Sequence, residues 1–415
     1  MVERHIMTFA QDMLGVFPAL QIQGARRVGK STFASMLVDG KPHVSLSLDH
    51  DDVRQAAMDD PRGFVQAAED GILVLDEVQR APGLLLAIKA AIDEDPRPGR
   101  FVLTGSSDLL RSTRMPDSLA GRAVTVPLWG FSQGEIVGTA DDFAAWAHGM
   151  TDPMTLTSTW TKKDYISELT KGSYPEARAL SDVHRRVWLR NYTNRLLNRD
   201  VAEIGRKVST SGLARTLRLV AANQSGELVK ARIADDTGLP ESSVANYLDV
   251  LSILYLTTDL NPWTPNLTAR EVSRHKVSVA DAGLALSLSR TSPEQLVLPT
   301  EAIHLGGLLE GFVVAELIKQ QTWTKTPFEL YHYRAVNGPE LDLVMEFDDG
   351  RVFLLEVKAS QTYRGEYVKS MKELAAKLGP RFIGGTVLTT STTPFRYTDM
   401  IWGLPLSALW EAPTE

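Results

Sequence analysis

Residues Gly24 to Ser31 read GARRVGKS, an ungapped fit to GxxxxGK[ST], between an apolar strand candidate, Ala19 to Gln23, and a helically patterned stretch, Thr32 to Val38. Nothing else in the chain narrows the fold as much. A strand, a glycine-rich loop and a helix in that order set consecutive free N–H groups and the positive end of a helix dipole against an anion. Gly24 and Gly29 permit the crowded or positive backbone angles, and Ala25, Arg26, Arg27 and Val28 supply the amides between them. Lys30 is a point charge for the outer phosphate oxygens, Ser31 offers a hydroxyl to Mg²⁺, and Thr32 carries the cradle into the helix.

A second element fits the first. Gly71 to Glu77 reads GILVLDE, a continuous apolar run of the kind buried on both faces of a parallel sheet, ending in two carboxylates. Asp76 is placed to hold the Mg²⁺ shell through Ser31 and water, and Glu77, one residue on, to polarise an attacking water. Further strands are expected at His43 to Leu48, Phe101 to Thr104 and Ala123 to Leu128, with helical stretches between them. The five together predict a doubly wound α/β domain with its ligand at the carboxyl edge of the sheet. Thr104 and Ser106 are candidates there for sensing a γ-phosphate or positioning water, and Ser107 is as well explained as a helix N-cap.

The chain has 415 residues, enough for two to four domains at roughly 100 to 200 residues each. It has no cysteine, which excludes disulfides, thiol nucleophiles and Cys-ligated metal. The start, MVERHIMTFA, lacks the pattern of an export signal, and the apolar runs fall short of the roughly 18 residues that cross a bilayer, so a soluble cytoplasmic protein with no membrane partner is expected. Net charge is −7, but between His184 and Arg232 eleven basic residues face three acidic ones, a local excess of +8. Such a patch suits a phosphate backbone, a solvated helix face or an acidic partner domain.

The set GARRVGKS, LDEVQRAP, TGSS and SLAGR, in this order, resembles the AAA+ ATPase domain of many bacterial and archaeal proteins that carry a further C-terminal domain. GSYPEA, RLLNRDV, VADAGLAL, LLEGFVVAEL and LLEVKAS extend the resemblance over nearly the whole chain. It implies ATP as the nucleotide, an ASCE-type strand order and a homo-oligomer. It also makes Arg122 of SLAGR the candidate arginine finger or sensor; a surface arginine before the fifth strand explains that residue equally well.

Between the two ends, Gly212 to Asn223, Glu227 to Thr237 and Glu241 to Leu254 carry helical periodicity, and the last two are broken by GLP at 238 to 240. This helical region resembles a winged helix. In a DNA-binding version Ser243, Asn246 and Tyr247 would face the groove, while Arg215, Arg218, Lys230 and Arg232 hold phosphates. The presumed recognition helix contains no arginine or lysine, which favours a packing or protein-contact module.

Near the C-terminus, Glu340 to Phe347 reads ELDLVMEF, with Leu341, Leu343, Met345 and Phe347 expected on one face, and Val352 to Lys358 reads VFLLEVK after a DDG turn. Asp342, Glu356 and Lys358 together resemble the PD-(D/E)XK nuclease signature. That implies an α/β nuclease-like fold in which Asp342 and Glu356 hold metal and Lys358 stabilises developing charge. Active cleavage, binding without cleavage and a plain structural sheet all remain open. The family adds a glutamate from a preceding helix; Glu316 falls on the apolar stripe of Leu305, Leu308, Leu309, Phe312 and Val313 and is the first choice, Glu310 the second. The expected division is an ATPase domain at 1–138, a linker at 139–165, a helical winged-helix-like region at 166–300 and a nuclease-like domain at 301–415. Expected ligands are ATP and Mg²⁺, with DNA and a protein partner as further candidates.

Overall fold

The computed structural model describes residues 2–68, 70–106, 119–149, 151–201, 208–265, 274–335 and 338–412. The first five strands are β1 (Ala19–Gln23), β2 (His43–Ser47), β3 (Ile72–Asp76), β4 (Phe101–Gly105) and β5 (Ala123–Pro127). They form one parallel sheet in the order β2-β3-β4-β1-β5. β1 and β4 are buried along their whole length, whereas the edge strand β2 alternates polar residues toward solvent, as an edge must. β4 lies between the strand that feeds the glycine-rich loop and the strand that ends in Asp76. The phosphate loop and Asp76 therefore both emerge at the carboxyl edge, one strand apart.

The remaining strands are β6 (Gly226–Glu227), β7 (Thr257–Pro262), β8 (Lys276–Val279), β9 (Phe328–Arg334), β10 (Glu340–Phe347), β11 (Val352–Lys358), β12 (Phe382–Thr389), β13 (Phe395–Thr398) and β14 (Ile401–Pro405). They make a single nine-stranded sheet, β13-β14-β12-β11-β10-β9-β7-β8-β6. The expected division between 166–300 and 301–415 therefore does not separate two sheets. β7 pairs in parallel with β9 at Asn261 with Tyr331 and Pro262 with His332, and the His332 ring Nε2 lies 3.0 Å from the Arg274 carbonyl. The helices Thr210–Ala222, Lys230–Thr237 and Glu241–Ile253 pack beside the β6-β8-β7 end.

Within the segment expected as a linker, 139–165, several side chains pack against the C-terminal part of the chain. Phe143 and Trp146 are buried and pack edge-on or tilted against Phe353 and each other, and the Phe143 N–H donates to the Gln320 side chain at 2.9 Å. Farther on, Trp160 meets Trp410 and the Ser158 hydroxyl accepts from Ser407. The aromatic side chains decide this: each removes more apolar surface from water than a linker could leave exposed without loss. Among the described residues, no helix is long and apolar enough to cross a membrane.

Candidate functional site

The glycine-rich loop is held from both sides. Gly24 has φ 157°, and a Cβ there would lie 2.0 Å from the Leu128 carbonyl oxygen, so only glycine lets the loop leave β1. Gly29 (φ 96°) and Arg27 (φ 66°) are left-handed, which turns successive amides inward. Lys30 opens its helix, is buried, and donates from Nζ to the Gly24 and Ala25 carbonyls at 3.1 and 3.0 Å. Ala25 and Val28 are buried in the core beneath the loop, while Arg27, Ser31 and Thr32 are exposed.

Ser31 Oγ donates to Asp76 Oδ1 at 2.9 Å, and the Thr104 hydroxyl donates to the same oxygen. Thr104 also accepts the Glu77 N–H at 3.2 Å. Glu77 is left-handed (φ 58°), a conformation that costs a non-glycine residue about 1–2 kcal/mol. The turn separates the two adjacent carboxylates: Asp76 meets Ser31, and Glu77 accepts from Ser106 Oγ at 3.2 Å and from the Gln79 amide. Gln79 was not singled out by sequence, although LDEVQRAP contains it. Ser107 lies outside the described residues.

Three contacts to this region come from far along the chain. Arg4 donates to the Val28 and Trp129 carbonyls at 3.3 and 2.7 Å while its Nε pairs with Glu135 at 3.0 Å. The Tyr192 hydroxyl donates to the Arg26 carbonyl at 2.9 Å, and the Tyr255 hydroxyl to Gln23 Oε1 at 2.9 Å. Arg27 also lies 3.5 Å from Glu176 on the surface. No motif marks these partners, because each is set by packing over more than 100 residues of chain or by the N-terminal segment folding back.

Arg122 stands at the other edge of the sheet. Its carbonyl accepts from Ala19 N at the start of β1, and its Nε pairs with Asp93 at 2.6 Å, which holds the Asp93 carboxyl below the usual range. A five-residue strand, roughly 16 Å at about 3.3 Å per residue, separates it from its own phosphate loop. Arg122 thus lies at the end of the sheet away from the phosphate loop of its own chain.

The C-terminal acids do converge, with one correction. The β10–β11 ladder is paired only from Leu343 with Leu355 onward, and beyond it the strands exchange side-chain bonds: Val357 N–H donates to Asp342 Oδ2 at 2.9 Å and Asp342 N–H to Glu356 at 3.4 Å. A bulge between Leu341 and Val344 puts Leu341 in one cluster with Val344 instead of with Leu343, Met345 and Phe347, against the expected alternation. Lys358 pairs with Glu356 and lies 3.8 Å from Asp342.

Glu316 is not in this group. It is buried, as its helical phase predicts, but its partners are Lys319 at 2.6 Å and the Gln133 N–H at 2.7 Å. The helix Ala302–Gln320 brings Glu310 to the cluster instead. The Glu310 carboxylate accepts from Lys276 of β8 at 2.8 Å, and the same Nζ lies 3.2 Å from Glu340 and 3.9 Å from Asp342. Burial, then the Asp342 charge, pushes Glu310 and Glu356 above the usual carboxylate range. Burial opposes the charge of Lys276, yet Glu310 and Asp342 outweigh it and hold the ammonium above its ordinary value. No group of three or more metal-ligating side chains has the geometry to hold an ion among the described residues. Lys276 was missed because it sits in a short strand, 34 residues before Glu310, with no motif around it.

The expected recognition helix Glu241–Ile253 also departs from its reading. Tyr247 is buried against Gly212, and its hydroxyl accepts from Ser209 N–H at 3.3 Å, so it packs the helices together and faces no groove. Arg215 donates to the Thr237 carbonyl at 3.1 Å.

Residues 16–137 match the AAA domain family. The amino-terminal unit is a P-loop AAA ATPase domain. Residues 162–295 and 305–409 match two families described only as domains of unknown function, DUF8612 and DUF4143. Two curated relatives, uncharacterized proteins Rv2008c of Mycobacterium tuberculosis and Mb2031c of Mycobacterium bovis, are each 26% identical over 346 residues, covering 83% of this chain and 71% of theirs. Among solved structures, the Walker-type ATPase PABY2304 of Pyrococcus abyssi is 15% identical, with a TM-score of 0.44 over 69% of this chain and 96% of its own. AMPPCP-bound DnaA from Aquifex aeolicus is 12% identical, with a TM-score of 0.30 over 60% of this chain and 86% of its own.

Proposed function

We propose that this chain is a Mg²⁺-dependent ATPase whose nucleotide cycle is coupled to a nuclease-like C-terminal domain. The observation that carries the reading is the Ser31–Asp76 contact of 2.9 Å beside Lys30: a hydroxyl and a carboxylate spaced to share a divalent cation next to an ammonium aimed into the loop. In this reading the amides from Gly24 to Thr32 bind the phosphates, Ser31 and Asp76 hold Mg²⁺, Glu77 polarises water, and Thr104 orients the Asp76 carboxylate and the Glu77 backbone. Arg122, being remote from its own loop, would serve a neighbouring subunit.

For the C-terminal domain, Asp342, Glu356 and Lys358 support the nuclease-like assignment, with Glu310 taking the helix position first given to Glu316. A second reading, an NTPase switch acting through protein partners with inert carboxylates, draws support from Lys276, whose ammonium already neutralises Glu310, Glu340 and Asp342.

The first test is ATP hydrolysis with Mg²⁺. Lys30→Ala should abolish turnover, and Glu77→Gln should leave ATP binding intact while lowering turnover by about 10²-fold or more. Full activity in either variant would mean that its role is misassigned. Cleavage of single- or double-stranded DNA or RNA by the wild type with Mn²⁺, lost in Asp342→Ala, would decide for active cleavage; absence of cleavage in both favours the switch.

A further inference from the structure

The helix Asp182–Arg195 is polar and mostly exposed, with Arg185, Leu189 and Tyr192 buried, and its helical phase divides it into two polar faces. Trp188, Asn191, Tyr192 and Arg195 recur along one face, which borders the phosphate loop at Arg26 and Arg27; Trp188 and Tyr192 stack there at 5.0 Å, with the Tyr192 hydroxyl on the Arg26 carbonyl. Arg186, Arg190, Thr193 and Asn194 recur along the opposite face. That face forms one wall of a cleft of about 910 Å³, whose other walls include Arg218 and Arg290.

The charges in this cleft are uneven. Of its two carboxylates, Asp182 is already bound by Arg185 at 2.7 Å, and Glu294 is held below the usual carboxylate range first by the Ser292 hydroxyl and by its own helix amide, with Arg186 as a further charge nearby. Arg190, Arg218 and Arg290 are exposed and have no ion-pair partner among the described residues. Three uncompensated guanidiniums and a fourth only partly offset therefore converge on one concave surface of a protein with net charge −7. Like charges repel, so such a convergence is unfavourable in the free protein and becomes favourable only with an anion between them.

We propose that this cleft binds a nucleic-acid strand by its phosphodiester backbone. Guanidinium forks match phosphate oxygens in pairs, and the exposed Asn194 amide adds a neutral donor of the kind that fixes a backbone without reading bases. This site is separate from the helix Glu241–Ile253, whose Tyr247 is buried and whose residues carry no basic side chain. Binding needs no nucleotide. Its consequence for hydrolysis, which rests on the ATPase reading, is that a strand on one face of the Asp182–Arg195 helix and the phosphate loop on the other share a single rigid element.

The test is fluorescence anisotropy of the full chain with a labelled mixed-sequence single-stranded oligonucleotide, without ATP, over a range of salt. The wild type should bind, and log K should fall linearly with log salt. The Arg190→Glu/Arg218→Glu/Arg290→Glu variant should bind at least about tenfold more weakly, with a slope smaller by about two, since each phosphate contact contributes about 0.7 for single strands. Its basal ATP hydrolysis should be unchanged, because none of the three touches the nucleotide site. Where the triple charge reversal fails to fold, the corresponding glutamine variant carries the same expectation with a smaller loss. Absence of binding by the wild type, or unaltered affinity and slope in the folded variant, overturns the proposal. So does full competition by inorganic phosphate or by polyglutamate, which would mark a small-anion or acidic-peptide site. Oligonucleotide stimulation of hydrolysis in the wild type that is lost in the variant supports the shared helix; binding without stimulation leaves the strand site standing and removes the coupling.

Discussion

The side chain that most changes the reading of the C-terminal site is Lys276. Buried among Glu310, Glu340 and Asp342, its ammonium sits where a cation would neutralise the acids. Its removal leaves the largely buried carboxylates of Glu310 and Asp342 without this counter-charge, a loss of at most about 3–5 kcal/mol by analogy with other broken buried pairs. Lys276→Met should therefore lower the melting temperature in EDTA, and Mn²⁺ without nucleotide should restore much of the loss, while Mn²⁺ leaves the wild type nearly unchanged. A variant whose melting is indifferent to Mn²⁺ would show that the acids cannot be gathered around a metal even when the lysine is gone. Glu77 illustrates another kind of residue-level constraint: its left-handed backbone is retained at a cost because it sends two adjacent carboxylates to different partners.

At the scale of elements, the junction of β7 and β9 joins the helical middle of the chain to the C-terminal sheet, and it contains a pH-sensitive group. His332 is buried beside Lys276, donates one ring N–H to the Arg274 carbonyl in the tautomer this contact requires, and is pushed down to about 4, first by burial. A histidine whose folded value lies below its unfolded one stabilises the fold fully above about 6.5, and that contribution is lost as pH falls toward 4. At about 1.4 kcal/mol per unit, the full effect is on the order of 3 kcal/mol. Thermal melts between pH 7 and pH 4 should show this acid limb in the wild type and a flatter one in His332→Gln. Equal slopes in the two proteins would place the acid sensitivity elsewhere. The neighbouring bulge in β10 shows why strict alternation fails locally: one irregular pairing re-aims Leu341 while Leu343, Met345 and Phe347 keep the common face.

Across the whole molecule, the ATPase domain and the C-terminal sheet are pinned together by Glu316. It accepts the Gln133 N–H and the Lys319 ammonium, and Lys319 in turn reaches the Phe131 carbonyl at 3.0 Å. Burial raises the Glu316 carboxyl, and Lys319 opposes that rise. Glu316→Leu should cost about 3–5 kcal/mol because it strands a buried ammonium. The loss should be read as a lower melting temperature and as faster proteolysis between the two sheets, with hydrolysis per folded molecule retained at low temperature. A variant as stable as the wild type would mean that Lys319 finds solvent without Glu316.

The strands of the first sheet, the glycine-rich loop, Asp76 and Glu77 were legible in the chain because their signals are local: glycine where the backbone must turn left-handed, continuous apolar runs where both faces are covered, and acids at a strand end. Asp342, Glu356 and Lys358 were legible for the same reason, lying on two successive strands joined by a tight turn. Which glutamate joins them was not. Helical phase correctly marked Glu316 as buried, but burial only demands a partner, and whether that partner is a metal, a lysine or a backbone amide depends on what the rest of the chain brings against that turn. The same holds for Tyr192 on the phosphate loop, Arg122 at the far sheet edge and the arginines gathered in one cleft. Local backbone geometry is specified over a few residues, whereas the meeting of side chains hundreds of positions apart is set only when the layers pack.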